Sequence, residues 1–420
     1  MFGELSSDRI RTPARASRLT LNAASKLAAE VIGRGLQFVL IYLAQRALGP
    51  VMYGEFTYAM AIGFVLAPVT DLGVELIVTR EIAREPRQAA HIASAGLMIK
   101  LMLTALAITL LIALSSTRAP EAQAAAVVIG LAMLANAFVE FFGYVLRGLQ
   151  RVTVEAAITL IMRGLIFALG IIALAIRAGL MGLAWAYAIG GGAALLGSYG
   201  LLRRRFHVPD MRFSLAHQRR LLRDALPLGG AIMLSILYTR TAVFMLDTWN
   251  GAAAVGIYGV AQKLTEPLAI VPAAIMAAVF PALTHDLAHS DYAATHRLRA
   301  RTIEVLALIG AALAIAGLIG GPWLIARLYA NQYAGAEIAL QVLAASVLMS
   351  FVNYALTHFL VALNRQRFIL AFNAIIFTLN IGLCALLIPR FGPAGAALAT
   401  LISESVLFGL CAWAVRHAPA

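Results

Sequence analysis

Asn22, Lys26, Glu30 and Arg34 recur at every fourth residue of the first apolar stretch. At about 100° per helical residue they share an arc of roughly 140° with Gln37 and Gln45. The remaining face is Leu, Ile, Val, Phe and Ala. A charge near a bilayer centre costs at least about 2.5–3.5 kcal/mol. Such a stripe therefore either lines a polar cavity or is neutralised by partners inside a helix bundle. Further bases, Arg163, Arg240 and Lys263, lie in other apolar stretches. Arginine offers a planar fork of donors that fits phosphate oxygens, and lysine a point charge. Lys26, Arg34, Arg163, Arg240 and Lys263 are thus candidates for holding an anion such as a pyrophosphate or an acidic sugar. The competing reading pairs them with Glu30, Glu140, Glu266, Glu304 and Glu404, Glu30 being one turn from both Lys26 and Arg34.

Glu30, Glu140 and Glu404 are the candidates for carrying a proton or a cation. Lys100 reads as an interfacial lysine whose amine reaches water. His358, near a helix end, reads as a hydrogen-bonded packing residue. His285, Asp286, His289, Asp291 and His296 crowd one connection at spacings a metal could use, but nothing fixes their geometry, and a solvated loop without metal is expected. Asp71, Glu75, Arg80, Glu81 and Arg84 form a mixed-charge connection expected to hold interfacial ion pairs. Asn353, Asn373 and Asn380 suit hydrogen bonds between helices. No Walker A pattern is present, so neither ATP hydrolysis nor a cofactor is expected.

The elements that must position these residues follow from composition. The 420 residues are 61% hydrophobic and 13% charged, against about 25% charged in a soluble domain, and mean hydropathy is +0.86. Apolar spans fall at about 20–45, 53–76, 90–114, 122–146, 154–176, 180–201, 224–247, 253–283, 302–325, 336–361, 367–388 and 393–415. Each can cross roughly 30 Å of hydrocarbon. The chain is read as an all-α integral membrane protein with about twelve transmembrane helices. The 33 Lys and Arg residues divide by compartment when the N-terminus is cytoplasmic: 22 cytoplasmic, five opposite and six within spans. That bias is the positive-inside rule and places both termini in the cytoplasm. The net charge of +13 thus reports topology, not a nucleic-acid partner. The basic N-terminus lacks the apolar core of a cleaved signal. Cys384 and Cys411 lie in apolar spans and indicate no disulfide framework.

The longest cytoplasmic connection, 203–223, divides the spans six and six, giving an N-lobe over 1–205 and a C-lobe over 206–420. At an offset of 213, Phe138 and Val139 fall on Phe351 and Val352, Arg177 on Arg390, and Gly179 and Gly182 on Gly392 and Gly395. Earlier, Tyr53-Gly54-Glu55-Phe56 resembles Val255-Gly256-Ile257-Tyr258. Six spans per half make a parallel repeat, a common transporter design. Pro68 in the second span, with Pro267 and Pro272 in the eighth, should bend matching helices and are candidate hinges.

The segments at 22–34, LAQRALGPVMYGEFTYAMAI at 43–62, DLGVELIVTREIAR at 71–84 and GIYGVAQKLTEPL at 256–268 resemble the polysaccharide-exporter (Wzx-like) flippases of the multidrug/oligosaccharidyl-lipid/polysaccharide superfamily. The resemblance implies two six-helix lobes in a MATE-like V around a central cavity. It implies a flippase, not an enzyme, that moves an undecaprenyl-pyrophosphate-linked oligosaccharide across the bacterial inner membrane by alternating access, among membrane lipids and other polysaccharide-assembly membrane proteins. By the same resemblance Arg34 matches a first-helix cavity arginine, and Arg46 one that caps the helix. The related lipid II flippases usually carry two further helices and more arginines in the first, which this chain lacks. The alternative is a cation-coupled drug or small-molecule antiporter of the superfamily, which would prefer a carboxylate-dominated cavity. A membrane polymerase or glycosyltransferase needs catalytic groups in a long outer loop, and the outer connections here are short.

Overall fold

The computed structural model describes residues 13–206, 215–289, 291–363 and 365–417. The N-terminal basic residues up to Arg11, and Arg212, lie outside them. Among the described residues the chain runs as eleven α-helices and two 3-10 turns, without a strand. Helices satisfy every backbone donor and acceptor within one segment, which hydrocarbon demands.

Nine described segments are long and apolar enough to cross a bilayer. Three of them, Lys26–Val69, Gln218–Ala288 and Arg367–Arg416, run to 44, 71 and 50 residues. At about 1.5 Å per residue each exceeds twice the roughly 30 Å of hydrocarbon. Each is broken at a glycine in a backbone conformation that side chains resist. In α1 (Pro13–Val69) the break is Gly49, with φ 68° and ψ 179°. In α7 (Leu215–Thr265) it is Gly251, with φ 77° and ψ 178°. In α11 (Gln366–Arg416) it is Gly392. With two crossings in each, the described segments make twelve. Gly49 and Gly251 bear the same relation as Gly54 and Gly256 in the repeated motifs, so matched positions make the same turn.

Two compact units form. The first takes the chain up to Leu43 and then Leu66–Gly229. It holds α2 (Val74–Arg84), α3 (Ala89–Ser115), α4 (Pro120–Gly148), α5 (Val152–Ala175) and α6 (Gly179–Phe206). Its core gathers Val78, Ile82, Phe141, Val145, Leu146, Leu202 and Leu221. Close approaches at glycine give the helix directions. Gly96 lies against Phe141 and Gly130 against Leu111, so α3 and α4 are antiparallel. Gly182 meets Ala173 and Gly190 meets Ile166, so α5 and α6 are too. Along α1 and α5 the contacts rise together: Lys26 with Glu155, Gly33 with Arg163, Leu40 with Gly170. These two run parallel, as first and fifth crossings must.

The second unit comprises Ala44–Val65 and Gly230–Ala420. It includes α8 (Ile270–Ala288), α9 (Tyr292–Tyr329) and α10 (Ala336–Ala362) with α11. Its core is built on Met276, Leu306, Phe351, Phe359, Phe372 and Cys411. Here the repeated motifs touch. A Cβ on Gly54 would collide with the Ala252 carbonyl oxygen, and one on Gly256 with that of Pro50. Tyr329 donates to Gln45 Oε1 at 2.6 Å and Tyr333 to the Gln45 carbonyl at 2.7 Å. Burial pushes the Tyr333 hydroxyl well above its ordinary value, which keeps it a donor. Gln45 therefore leaves the polar stripe and serves as a buried anchor beside the Gly49 turn.

Pro68 stands one residue before the end of α1. Pro267 lies in the 3-10 turn Glu266–Ala269 and Pro272 in the first turn of α8. The eighth crossing thus loses α-helical regularity where its prolines fall. All four tryptophans, Trp185, Trp249, Trp323 and Trp413, are exposed, as residues of interfacial belts are.

Gly54→Ala and Gly256→Ala should each cost about 1–3 kcal/mol through overpacking. Thermal unfolding in detergent checks this, with Gly35→Ala as the silent control because nothing lies within 4 Å of its Cβ.

Candidate functional site

The parallel packing of α1 on α5 turns the sequence stripe into a seam of charge within the first unit. At one end Glu155 is closed in. Its Oε1 accepts from Arg147 Nε at 2.9 Å, from Arg147 Nη2 at 2.5 Å and from Lys26 at 3.4 Å. One turn beyond Lys26 on α1, Glu30 Oε2 accepts from Arg34 Nε and from Arg163 Nη1, each at 3.2 Å. The exposures differ: the Glu155 side chain is 8% accessible, that of Glu30 34% and that of Arg34 66%. Of the two within-helix pairings open to Glu30, that with Arg34 forms, whereas Lys26 turns to Glu155 on α5 and Glu30 also takes Arg163 from that helix. The reason is reach, since α5 lies alongside and presents Glu155 to one and Arg163 to the other. The side chain of Asn22 lies outside the described residues.

Three bases of α1 and α5 (Lys26, Arg34 and Arg163) and Arg147 of α4 share Glu155 and Glu30 in direct ion pairs, and Glu140 of α4 lies within electrostatic range of Arg147 and Arg163. The Glu155 end is a lock, whereas the Glu30–Arg34–Arg163 end is open. Neither Glu155, Arg147 nor Gly33 was visible in the sequence as part of this group. Glu155 and Arg147 read as charges at span ends, and the adjacency of α1 and α5 has no local signal.

The second unit holds the remaining candidates. Arg240 lies over the Phe64 ring at 4.3 Å and 3.8 Å from Glu266 Oε1, and its Nε is buried without a hydrogen bond. Lys263 pairs with Glu266 at 2.6 Å. Glu404 is held differently. It accepts from Asn353 Nδ2 at 2.7 Å and from the Tyr238 hydroxyl at 3.3 Å, both neutral donors. Asn380 donates to Ser403 at 3.2 Å, joining the two arms of α11. His358 bonds the Tyr354 carbonyl at 2.7 Å and stacks on its ring, a packing role.

Two expectations are corrected. Lys100 is not at an interface: it is 1% exposed. Its amine lies 3.9 Å from Asp71 Oδ1 and over the rings of Phe138 and Phe141. Asp71 is buried with it, because its carboxylate also accepts the backbone N–H groups of Gly73 and Glu75 and so begins α2. The histidine-rich connection is largely helical. His285 and Asp286 lie in α8, His289 caps that helix, and Asp291 caps α9 by accepting from Ala294. Among the described residues no group of three or more His, Cys, Asp or Glu could hold a metal. Glu140 accepts from Asn136 at 3.3 Å, one turn earlier in α4.

The profile of the family described as polysaccharide biosynthesis protein matches residues 19–285, and that of the MatE family matches 227–386. The chain is similar to a probable low-salt glycan biosynthesis flippase, Agl15, of Haloferax volcanii, 23% identical over 90% of this chain and 79% of that protein. Another Haloferax volcanii protein, the probable flippase AglR, is 29% identical over 40% of this chain and 36% of its own length. Among solved structures, an inward-facing multidrug resistance MATE family transporter of the MOP superfamily aligns with TM-score 0.75 at 18% identity, covering 90% of this chain and 93% of that one. The lipid II flippase MurJ, in an inward closed conformation, aligns with TM-score 0.74 at 14% identity, covering 94% and 88%. These structures show the fold: an all-α, multi-pass membrane protein.

Lys100→Met should cost about 3–5 kcal/mol, since it leaves Asp71 buried and unpaired. The double variant Lys100→Met with Asp71→Asn should recover much of that loss in thermal unfolding.

Proposed function

The chain belongs to the polysaccharide biosynthesis protein family, within the superfamily that also includes the MATE transporters, and from that premise we propose that it is a flippase. It carries an oligosaccharide linked to a polyprenyl pyrophosphate, of the undecaprenyl type, from the cytoplasmic to the outer leaflet of the cytoplasmic membrane. Both termini are cytoplasmic in this reading, and other membrane proteins of polysaccharide assembly are its neighbours. The observation that carries it is the meeting of two guanidinium groups, Arg34 of α1 and Arg163 of α5, on the single carboxylate of Glu30, with Arg34 two-thirds exposed. A pyrophosphate diester brings roughly two negative charges, and guanidinium groups match its oxygens. Arg34 is the principal anion ligand, with Arg163 beside it. Lys26 sets the field from its pair with Glu155. Arg240 and Lys263 offer a second cationic surface around Glu266.

No covalent step is required. The substrate shifts the exchange between inward and outward exposure by binding the two states differently. Glu404, held by neutral donors alone among the described residues, is the better coupling carboxylate, because Glu30 already serves two arginines. Glu140 stands third. Pro267 and Pro272, at the break in the eighth crossing, are the proposed hinge, with Pro68 marking the end of the second. The cation-coupled antiporter is the second reading, favoured by that same Glu404 environment.

Leaflet-resolved translocation of a fluorescent lipid-linked oligosaccharide in proteoliposomes tests the reading. The unmodified protein should equilibrate the lipid between leaflets, and Arg34→Ala and Arg240→Ala should each slow it at least tenfold. Unchanged rates in both variants would overturn the anion-site assignment. No flipping by the unmodified protein, together with drug efflux, would select the antiporter.

A further inference from the structure

Two carboxylates on the α1–α5 seam are held in contrasting ways. Glu155 takes both donors of one edge of Arg147 and is shut from solvent. Glu30 takes a single N–H from each of two arginines, both on the same oxygen. An arginine fork binds an anion best through two parallel hydrogen bonds, so neither Arg34 nor Arg163 is used to capacity. The pairing is open on one side, where Arg34 is two-thirds exposed.

The position of Arg163 is nevertheless built. It lies across α1 at Gly33, where a Cβ would stand 2.7 Å from its Cδ and 2.9 Å from its Nη1. The helix omits a side chain where the guanidinium crosses, and Gly35, two residues on, has nothing near it. Arg163 is thus held in place by shape, while its electrostatic partner is a weakly engaged carboxylate.

We propose that Glu30 is an internal stand-in for the phosphate of the substrate, occupying Arg34 and Arg163 when the site is empty and yielding both when the anion arrives. This rests on the reading of the seam as the pyrophosphate site. Two guanidinium groups without a counter-charge in an apolar bundle would be costly. A carboxylate lowers that cost between cycles, and its single-point contacts let a diphosphate replace it. The exchange weakens binding and speeds release, as a carrier requires. Gly33 is a positioning residue that keeps Arg163 within reach of both anions.

Farnesyl pyrophosphate binding by calorimetry to the full chain in nanodiscs, joined to the translocation assay, tests the exchange. Glu30→Gln should bind at least fivefold tighter and flip with lower KM and lower kcat, because release slows. Arg34→Ala should weaken binding at least tenfold, and Gly33→Ala about fivefold by displacing Arg163. In the unmodified protein, the glutamate carboxylate band in difference infrared spectra should shift on adding farnesyl pyrophosphate, a readout that needs no variant. If Glu30→Gln binds no tighter or raises KM, or the band stays still, Glu30 is a fixed support and the stand-in role fails while the pyrophosphate reading stands. If the unmodified protein binds no farnesyl pyrophosphate, both fail.

Discussion

Charge inside an apolar bundle must find a counter-charge, a hydrogen bond or water, and this constraint shapes the molecule at each polar site. Lys100 is admitted to the core of the first unit by Asp71 and two phenylalanine rings. Glu404 is admitted to the second by an amide and a phenol. Glu155 is closed over by Arg147 and Lys26. The Glu30 cluster departs from this pattern in exposure, since its carboxylate is one-third and Arg34 two-thirds accessible, against 8% for Glu155. Two guanidinium groups on one accessible acid are costly as architecture and useful as a receptor for an anion.

Backbone geometry enforces the same economy at the helix turns and crossings. Gly49 and Gly251 adopt the same left-handed turn at matched places in the repeat. A few residues later Gly54 and Gly256 bring two helix backbones together without side chains between them. In lipid, where apolar surface gives no advantage to helix over solvent, close packing at small residues is a main source of association. The buried Gln45, anchored by Tyr329 and Tyr333, fixes the chain beside the first of these turns.

Much of this was legible in the sequence, for reasons that are local. Apolar runs report the crossings, because insertion depends on them. The repeat was legible through Gly54 and Gly256, whereas the turns at Gly49 and Gly251 emerge only from the backbone. What depends on helix adjacency was not. Local spacing offers Lys26 only Glu30, one turn away, whereas α5 supplies Glu155, 129 residues away. Lys100 looked interfacial because nothing near it in sequence reveals Asp71 below it. Gly33 looked like any small residue until Arg163 was seen to cross it.

The central claim is that Arg34 on α1 and Arg163 on α5, which share Glu30, receive the diphosphate of the lipid-linked substrate. The most direct measurement is photo-crosslinking with a polyprenyl pyrophosphate bearing a short diazirine next to the phosphates, with attachment sites read by mass spectrometry. The account predicts labelling on α1 around Arg34 and on α5 around Arg163, competed away by unlabelled lipid-linked oligosaccharide. Labelling confined to the helices around Glu404, with α1 and α5 untouched, would contradict it.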